Sequence, residues 1–319
     1  MVEVSGLTKT YGDFLAIREM SFTVKAGECF ALLGPNGSGK TTTLKCVAGL
    51  AIATAGTIRI GDMDIRKNAR SAKVLLSYLP QRVAFHDDLT ARETLAFYSR
   101  LRGMEPKRVT SVMEELGLGA IQHKPVGKLS GGMVQRLGIA VALLPDAPLL
   151  LLDEPAVGLD PEGAVRFRDL LRSLNRAGKT IIFSSHVLSD VKLLADRVAV
   201  IVGGRLVAVQ FAEKIENGFG NAERLHICLR IPEPRFVDVA LHAGGTDARL
   251  VHDTLIVSCA PASRLRVLQA LESAGANIER FFTEEPDLEE VYLRLLHANT
   301  SAVSSSDIGS LHGPSVSAG

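Results

Sequence analysis

The stretch Gly34-Pro35-Asn36-Gly37-Ser38-Gly39-Lys40-Thr41 follows the apolar run Cys29-Phe30-Ala31-Leu32-Leu33 and precedes a helical pattern from Thr42 to Leu50. Strand, glycine-rich turn and helix are the context in which the pattern G-x-x-x-x-G-K-[ST] forms a phosphate-binding loop. Glycine lets the backbone curl so that its N–H groups point at a phosphate, and the opening of the helix adds partial positive charge. A flexible Gly/Ser turn ending in a solvated lysine would need neither the full spacing nor the preceding strand.

The loop also carries the side chains that nucleotide chemistry requires. Lys40 would reach the β- and γ-phosphate oxygens as a point charge, and the Thr41 hydroxyl would ligate Mg²⁺. The predicted nucleotide-binding residues of this segment are Gly34, Pro35, Asn36, Gly37, Ser38, Gly39, Lys40, Thr41 and Thr42.

A second short apolar run ends in two acids. Leu149-Leu150-Leu151-Leu152 precedes Asp153 and Glu154, as expected of a strand that is buried on both faces. Ligands of open α/β sheets bind at the carboxyl ends of the strands, so both acids would face the phosphates. Asp153 is predicted to hold Mg²⁺ through a water molecule, and Glu154 to polarise the attacking water.

A serine-glycine turn lies between these two elements in the sequence. Ser130, Gly131 and Gly132 open a helical stretch, and the N–H groups of such a turn can bind phosphate. The same residues also fit an ordinary helix N-cap, so both interpretations remain open.

These motifs, in this order over about residues 1–210, resemble the nucleotide-binding subunit of an ABC transporter. Under this resemblance Tyr11 matches the aromatic residue that stacks on adenine, and Gln81 matches the Q-loop residue that touches Mg²⁺ and the membrane partner. Asp160 matches the D-loop, and His186 matches the switch histidine that contacts the γ-phosphate. Taken alone, Tyr11 also fits a half-exposed strand tyrosine, and His186 also fits a structural histidine.

The resemblance implies a fold, cofactors and partners. The fold is α/β: a P-loop ATPase domain of the ABC type with a helical signature subdomain. ATP and Mg²⁺ are the implied cofactors, and the signature turn of one chain completes the ATP site of a second, identical or related chain. ATP hydrolysis would power permease subunits from the cytoplasmic face of the cell membrane. The implied catalytic residues are Glu154, His186 and Lys40, and the implied metal ligands are Thr41, Gln81 and Asp153.

Pattern changes along the chain predict the domain organisation. We expect an ATPase domain at residues 1–215 with its helical subdomain at 83–144, an accessory α+β domain at 223–298 and a disordered Ser-rich tail at 299–319. The accessory segment has the strand-helix-strand-strand-helix-strand order of a ferredoxin-like fold, and dimer contact or regulation is its expected role. In the helical subdomain we expect core packing for Phe85, Phe97 and Tyr98, with a permease interface as the alternative.

Composition limits the other classes of function. The 319 residues include 36 Lys and Arg against 35 Asp and Glu, so a nucleic-acid partner has no electrostatic support. The four cysteines show no C-x-x-C pair and are predicted to be buried, reduced thiols of a cytosolic protein. No apolar stretch is long enough to cross a bilayer.

The transported substrate is the least determined feature. The single cassette, with Pro286-Asp287-Leu288-Glu289-Glu290-Val291-Tyr292 near its end, resembles ATPases of ABC-2 type exporters. The segment at 83–95 is similar to the ATPase of nitrous-oxide-reductase maturation, which is linked to copper or sulfur supply. A soluble ABC ATPase of translation or DNA repair is the alternative from another class, but such proteins carry two cassettes or a long coiled coil.

Overall fold

A computed structural model describes residues 1–213 and 223–284. The chain divides into two compact units, Met1–Ala212 and the residues from Glu213 onward. The predicted boundary between the two domains, at 215–222, the end of the predicted accessory domain, at 285–298, and the predicted tail at 299–319 lie outside the described residues.

The central sheet of the first unit brings the predicted motifs to one edge. Its strand order is β10-β9-β3-β8-β7-β6, and all neighbours are parallel except the β9–β10 hairpin at one end. Strands β3, β7 and β8 are buried along their whole length, which explains the apolar sequences of β3 and β7 and the apolar run Ile181–Phe183 in β8. The strands are β3 (Cys29–Leu33), β6 (Leu76–Leu79), β7 (Leu149–Leu152), β8 (Thr180–Ser185), β9 (Arg197–Val202) and β10 (Arg205–Phe211).

A second, antiparallel sheet shares its core with the central one. It has the order β2-β1-β4-β5, and buried residues of both sheets form one apolar cluster in which the rings of Phe22 and Phe30 stack at 5.4 Å. The elements are β1 (Val2–Tyr11), β2 (Phe14–Val24), β4 (Ala55–Ile60), β5 (Met63–Asp64) and the helices α1 (Lys40–Val47) and α2 (Ala69–Val74).

The helices of the middle segment begin at local capping signals in the sequence. Thr90 forms a capping box with Glu93 at the start of α3 (Ala91–Leu101), and Pro106 begins α4 (Pro106–Glu115). The Arg108 guanidinium donates to the carbonyl oxygens of Leu143 (2.8 Å) and Leu144 (3.3 Å), and so ties α4 to the end of α5 (Gly131–Leu143). Helices α6 (Pro161–Arg176) and α7 (Leu188–Leu194) follow β7 and β8.

The expectation of core packing is wrong for Phe97 and is met only in part by its neighbours Phe85 and Tyr98. Phe97 is 49% exposed, and Phe85 and Tyr98 are only half-buried. The ring of Tyr98 meets those of Phe85 and Phe97 edge-to-face at 5.8 and 5.3 Å. The aromatic side chains Phe97 and Tyr98 of α3 therefore form a surface patch with Phe85, while the inward face of the helix includes Leu95.

The second unit confirms the ferredoxin-like order. Its antiparallel sheet has the order β12-β13-β11-β14, so that β13 separates the two strands joined by the first helix. Residues from the sheet and both helices, with Phe236 fully buried, form its own core. The elements are β11 (Glu223–Leu229), α8 (Arg235–His242), β12 (Gly245–Val251), β13 (Thr254–Cys259), α9 (Arg264–Ser273) and β14 (Ile278–Glu284).

The cysteines are free and buried, as expected. Burial is the main cause that raises the pKa of Cys29 to about 12 and that of Cys46 to about 11, so both thiols stay protonated near neutral pH. Among the described residues, no helix combines the length and the apolar content that crossing a membrane requires.

Candidate active site

The phosphate loop is shaped by close backbone packing. A Cβ on Gly34 would lie 2.0 Å from the carbonyl oxygen of Ile201 in β9, so only glycine fits there without displacing the loop. Gly39 has a φ of 105° at the N-cap of α1, a left-handed conformation that glycine adopts readily. The first turn of α1 then presents N–H groups that have no acceptor within the helix.

Lys40 is held inside this loop. Its Nζ donates to the carbonyl oxygens of Gly34 (2.7 Å) and Pro35 (3.0 Å) and lies 3.6 Å from Glu154 Oε1. The side chain is only 4% exposed. Burial lowers the pKa of the ammonium group from its usual value, and the Glu154 carboxylate opposes part of that shift.

Asp153 collects hydroxyl donors from three different elements. Its Oδ1 accepts from the hydroxyls of Thr41 (3.0 Å) and Ser184 (2.7 Å), and its Oδ2 accepts from Tyr78 (3.4 Å). Burial and, second, the Asp153 charge raise the pKa of Tyr78 well above its usual value, so the phenol stays a donor. The carboxylate is fully buried and is stabilised by these neutral donors.

Glu154 has a left-handed backbone conformation, and polar side chains surround its carboxylate. Its φ is 46°, a conformation that costs a non-glycine residue about 1 kcal/mol. Its Oε2 accepts from Gln81 Nε2 at 3.0 Å and lies 3.5 Å from His186 Nδ1, while Lys40 faces Oε1. The predicted catalytic acid, the Q-loop amide and the switch histidine therefore lie in direct contact.

Other predicted site residues lie apart from this cluster or cap their own helices. Tyr11 is 48% exposed, with the Lys9 ammonium 4.5 Å from its ring centre. Ser130 accepts from the N–H of Met133 at the start of α5, and Asp160 accepts from that of Gly163 at the start of α6. The nucleotide roles of these three residues stay predictions.

The donor set fits a nucleotide triphosphate with Mg²⁺. Ser38 Oγ is buried in the loop and has no hydrogen-bond partner in the described part of the chain. Such an orphaned hydroxyl, a buried lysine and the opening of α1 suit a phosphate group. Thr41, Asp153 and Gln81 offer oxygen ligands, and few protein ligands suffice where phosphates complete the Mg²⁺ shell. The described residues contain no cluster of His, Cys, Asp and Glu that could hold a metal ion by itself.

Comparison with known proteins identifies the family. The profile of the family described as "ABC transporter" matches residues 17–157. The linearmycin resistance ATP-binding protein LnrL of Bacillus subtilis is 31% identical over 304 residues, which cover 92% of this chain and 98% of LnrL. The chain belongs to the ATP-binding proteins of ABC transporters. The Nod factor export ATP-binding protein I of Rhizobium etli, another relative of this ABC protein, is 35% identical over 298 residues, 92% of each chain.

A solved structure agrees with this assignment. The ATP-binding cassette MJ0796, solved as a dimer in a post-hydrolysis state with ADP and Pi, matches with a TM-score of 0.61 and 26% identity. The match covers 66% of this chain and 99% of MJ0796. The predicted ABC ATPase fold is confirmed, and this ABC protein is an ATP-binding ATPase subunit of a transporter.

Two residues of the site were missed by sequence reasoning. Tyr78 lies in β6, three positions before Gln81, and Ser184 lies in β8, two positions before His186. The available signal was a polar side chain at the carboxyl end of an otherwise apolar strand. The pattern alone does not say which neighbouring strand such a side chain meets.

The close approach at Gly34 gives a stability prediction. Gly34→Ala would force the loop away from Ile201, and we expect a loss of about 2 kcal/mol in the free energy of unfolding. The control is Gly119→Ala, whose added Cβ would meet nothing within 4 Å and should change stability by less than about 0.5 kcal/mol. Urea titration followed by circular dichroism measures both, and equal stabilities would contradict the predicted constraint.

Proposed function

We propose that this ABC ATPase powers ABC-2 type export, hydrolysing MgATP at sites shared between two chains on the cytoplasmic face of a membrane. The names of its relatives support export, because proteins of linearmycin resistance and Nod factor export match more than nine-tenths of the chain. Roles in nitrous-oxide-reductase maturation, translation or DNA repair are not favoured by these relatives.

The observation that carries the chemistry is the position of the Glu154 carboxylate between Lys40, Gln81 and His186. Lys40 and the N–H groups of the loop would hold the phosphates, and Thr41, Asp153 and Gln81 would hold Mg²⁺, which neutralises phosphate charge. Glu154 would then orient the attacking water, and His186 would contact the γ-phosphate. Positioning and charge stabilisation account for most of the rate in phosphoryl transfer.

Replacing the carboxylate by an amide tests this role. Glu154→Gln should leave MgATP binding intact but lower steady-state hydrolysis by roughly 10²-fold or more, because the water loses its base while the loop contacts remain. It should also accumulate an ATP-bound dimer in size-exclusion chromatography. Glu114→Gln, at an exposed position of α4, is the control and should hydrolyse normally. Normal turnover in Glu154→Gln would remove the residue from catalysis.

The shared site is supported by the exposure of the signature turn. Ser130 and Gly131 are exposed at the start of α5, so their polar groups are accessible to a second chain. A Cβ on Gly132 would lie 3.0 Å from the carbonyl oxygen of Gly158, which packs this turn against the segment before Asp160. ATP would lie between Lys40 of one chain and Ser130 of the other, in a dimer of identical or related chains.

Mixing two inactive variants separates a shared site from a simple helix cap. Lys40→Ala should lose nucleotide affinity, because the phosphates lose their cation. If Ser130 is only a cap, Ser130→Arg should cost about 1 kcal/mol of stability and keep hydrolysis. If the site is shared, Ser130→Arg should bind ATP but not dimerise, and mixing it with Lys40→Ala should restore part of the ATPase activity through one complete site. Full activity of Ser130→Arg alone would contradict the shared site.

The aromatic patch of the helical segment is proposed as the permease contact. Phe85, Phe97 and Tyr98 line a cavity of about 310 Å³ whose wall also includes His86 and Leu89. A cavity lined mainly by aromatic and aliphatic side chains, with an exposed phenylalanine, suits the apolar face of a short helix from another subunit. Phe85 of the patch belongs to the same loop as Gln81, whose amide donates to Glu154.

A charge placed in the patch tests this contact. Phe97→Glu should leave the ATPase activity of the isolated chain within about twofold, because no described contact joins Phe97 to Asp153 or Glu154. The same variant should sediment severalfold less with membranes of its own cells, because burying the new charge in the contact costs free energy. Val74→Glu is the control, because Val74 is 72% exposed on α2, outside the patch. Equal membrane binding of both variants would place the contact elsewhere.

A further inference from the structure

One buried hydroxyl joins the two acids of the site. Ser184 has no exposed surface at the carboxyl end of β8. Its Oγ donates to Asp153 Oδ1 at 2.7 Å and accepts from the Glu154 N–H at 2.9 Å. A serine hydroxyl has one proton and two acceptor lone pairs, so both bonds form together. The strand that leads to His186 is thus tied to both acids through a single atom.

We propose that Ser184 is a positioning residue for ATP hydrolysis, one that fixes the direction of the Glu154 carboxylate. This rests on the roles proposed above for Asp153 and Glu154. The backbone of Glu154 lies in the left-handed region, which side-chain-bearing residues rarely adopt. The bond from its N–H to Ser184 stabilises that conformation, and the conformation aims the carboxylate at Lys40 and Gln81.

The two bonds of Ser184 differ in how replaceable they are. Asp153 keeps two other hydroxyl donors, Thr41 and Tyr78, when Ser184 is absent. The Glu154 N–H is buried and would lose the side-chain acceptor it now has. Removing the Ser184 hydroxyl should therefore disturb the orientation of Glu154 and leave the phosphate loop unchanged. Ser184 should affect kcat far more than the affinity for MgATP.

Steady-state kinetics on the full chain tests this division. Ser184→Ala should lower kcat by about 10- to 100-fold, the range typical of groups that orient a functional residue, while the Kd for MgATP changes less than about threefold. The matched control is Ser77→Ala. Ser77 is a buried serine of β6, the strand on the other side of β7, and its hydroxyl has no partner among the described residues. In Ser77→Ala, kcat should stay within about twofold. A normal kcat in Ser184→Ala, or an equal loss in Ser77→Ala, would overturn the proposal.

The double variant with Glu154→Gln distinguishes a positioning role of Ser184 from a general structural role. Because Ser184 acts through Glu154, Ser184→Ala should change the residual hydrolysis of Glu154→Gln by less than about threefold. Independent losses that multiply would overturn the proposal. Ser184→Cys has a similar side-chain shape, but its larger sulfur is both a weaker donor and a weaker acceptor. This variant decides the question if the alanine variant does not fold. It should show the same loss in kcat, and normal turnover would refute the proposal. Normal turnover in Glu154→Gln itself would instead refute the proposed function.

Discussion

The site depends on keeping opposite charges in a place where water scarcely reaches them. Lys40 and Glu154 are 4% and 6% exposed, and Asp153 is fully buried beside them. An isolated charged side chain in such a position would lose its charge by a change of protonation or would destabilise the fold. Each charged group therefore needs partners that replace water. The carbonyl oxygens of Gly34 and Pro35 do this for Lys40, and hydroxyl groups do it for Asp153. The sheet is the scaffold that brings these partners to one edge.

Much of the ATPase fold could be predicted because its signals are local. An apolar strand, a glycine loop and a helix follow one another at 29–50, and the helix starts at Thr90 and Pro106 are encoded within a few residues. The order of elements in the second unit was predicted for the same reason. Local sequence patterns indicate whether a segment forms a helix, a strand or a turn, and most segments of this chain carry one clear pattern of this kind.

What the sequence could not supply is which side chains meet across the sheet. The contact of Ser184 with both acids depends on the register of β8 beside β7, and that of Tyr78 depends on β6 beside β7. The left-handed backbone of Glu154 is also invisible, because no glycine marks it. Periodicity failed at Phe97 because an aromatic residue in a helical pattern can lie either in the core or at the surface, and the pattern does not distinguish the two.

The packing of Gly132 against Gly158 has a consequence for association. Because a Cβ on Gly132 would already lie 3.0 Å from the carbonyl oxygen of Gly158, the turn at the start of α5 and the turn that leads into α6 are closely packed within one chain. Association of proteins is weakened by the entropy lost when loops become ordered. If these two turns form the contact of the proposed dimer, their packing within each chain lowers the entropy lost on association, so a comparatively small contact area would suffice to hold two chains together and still let them separate.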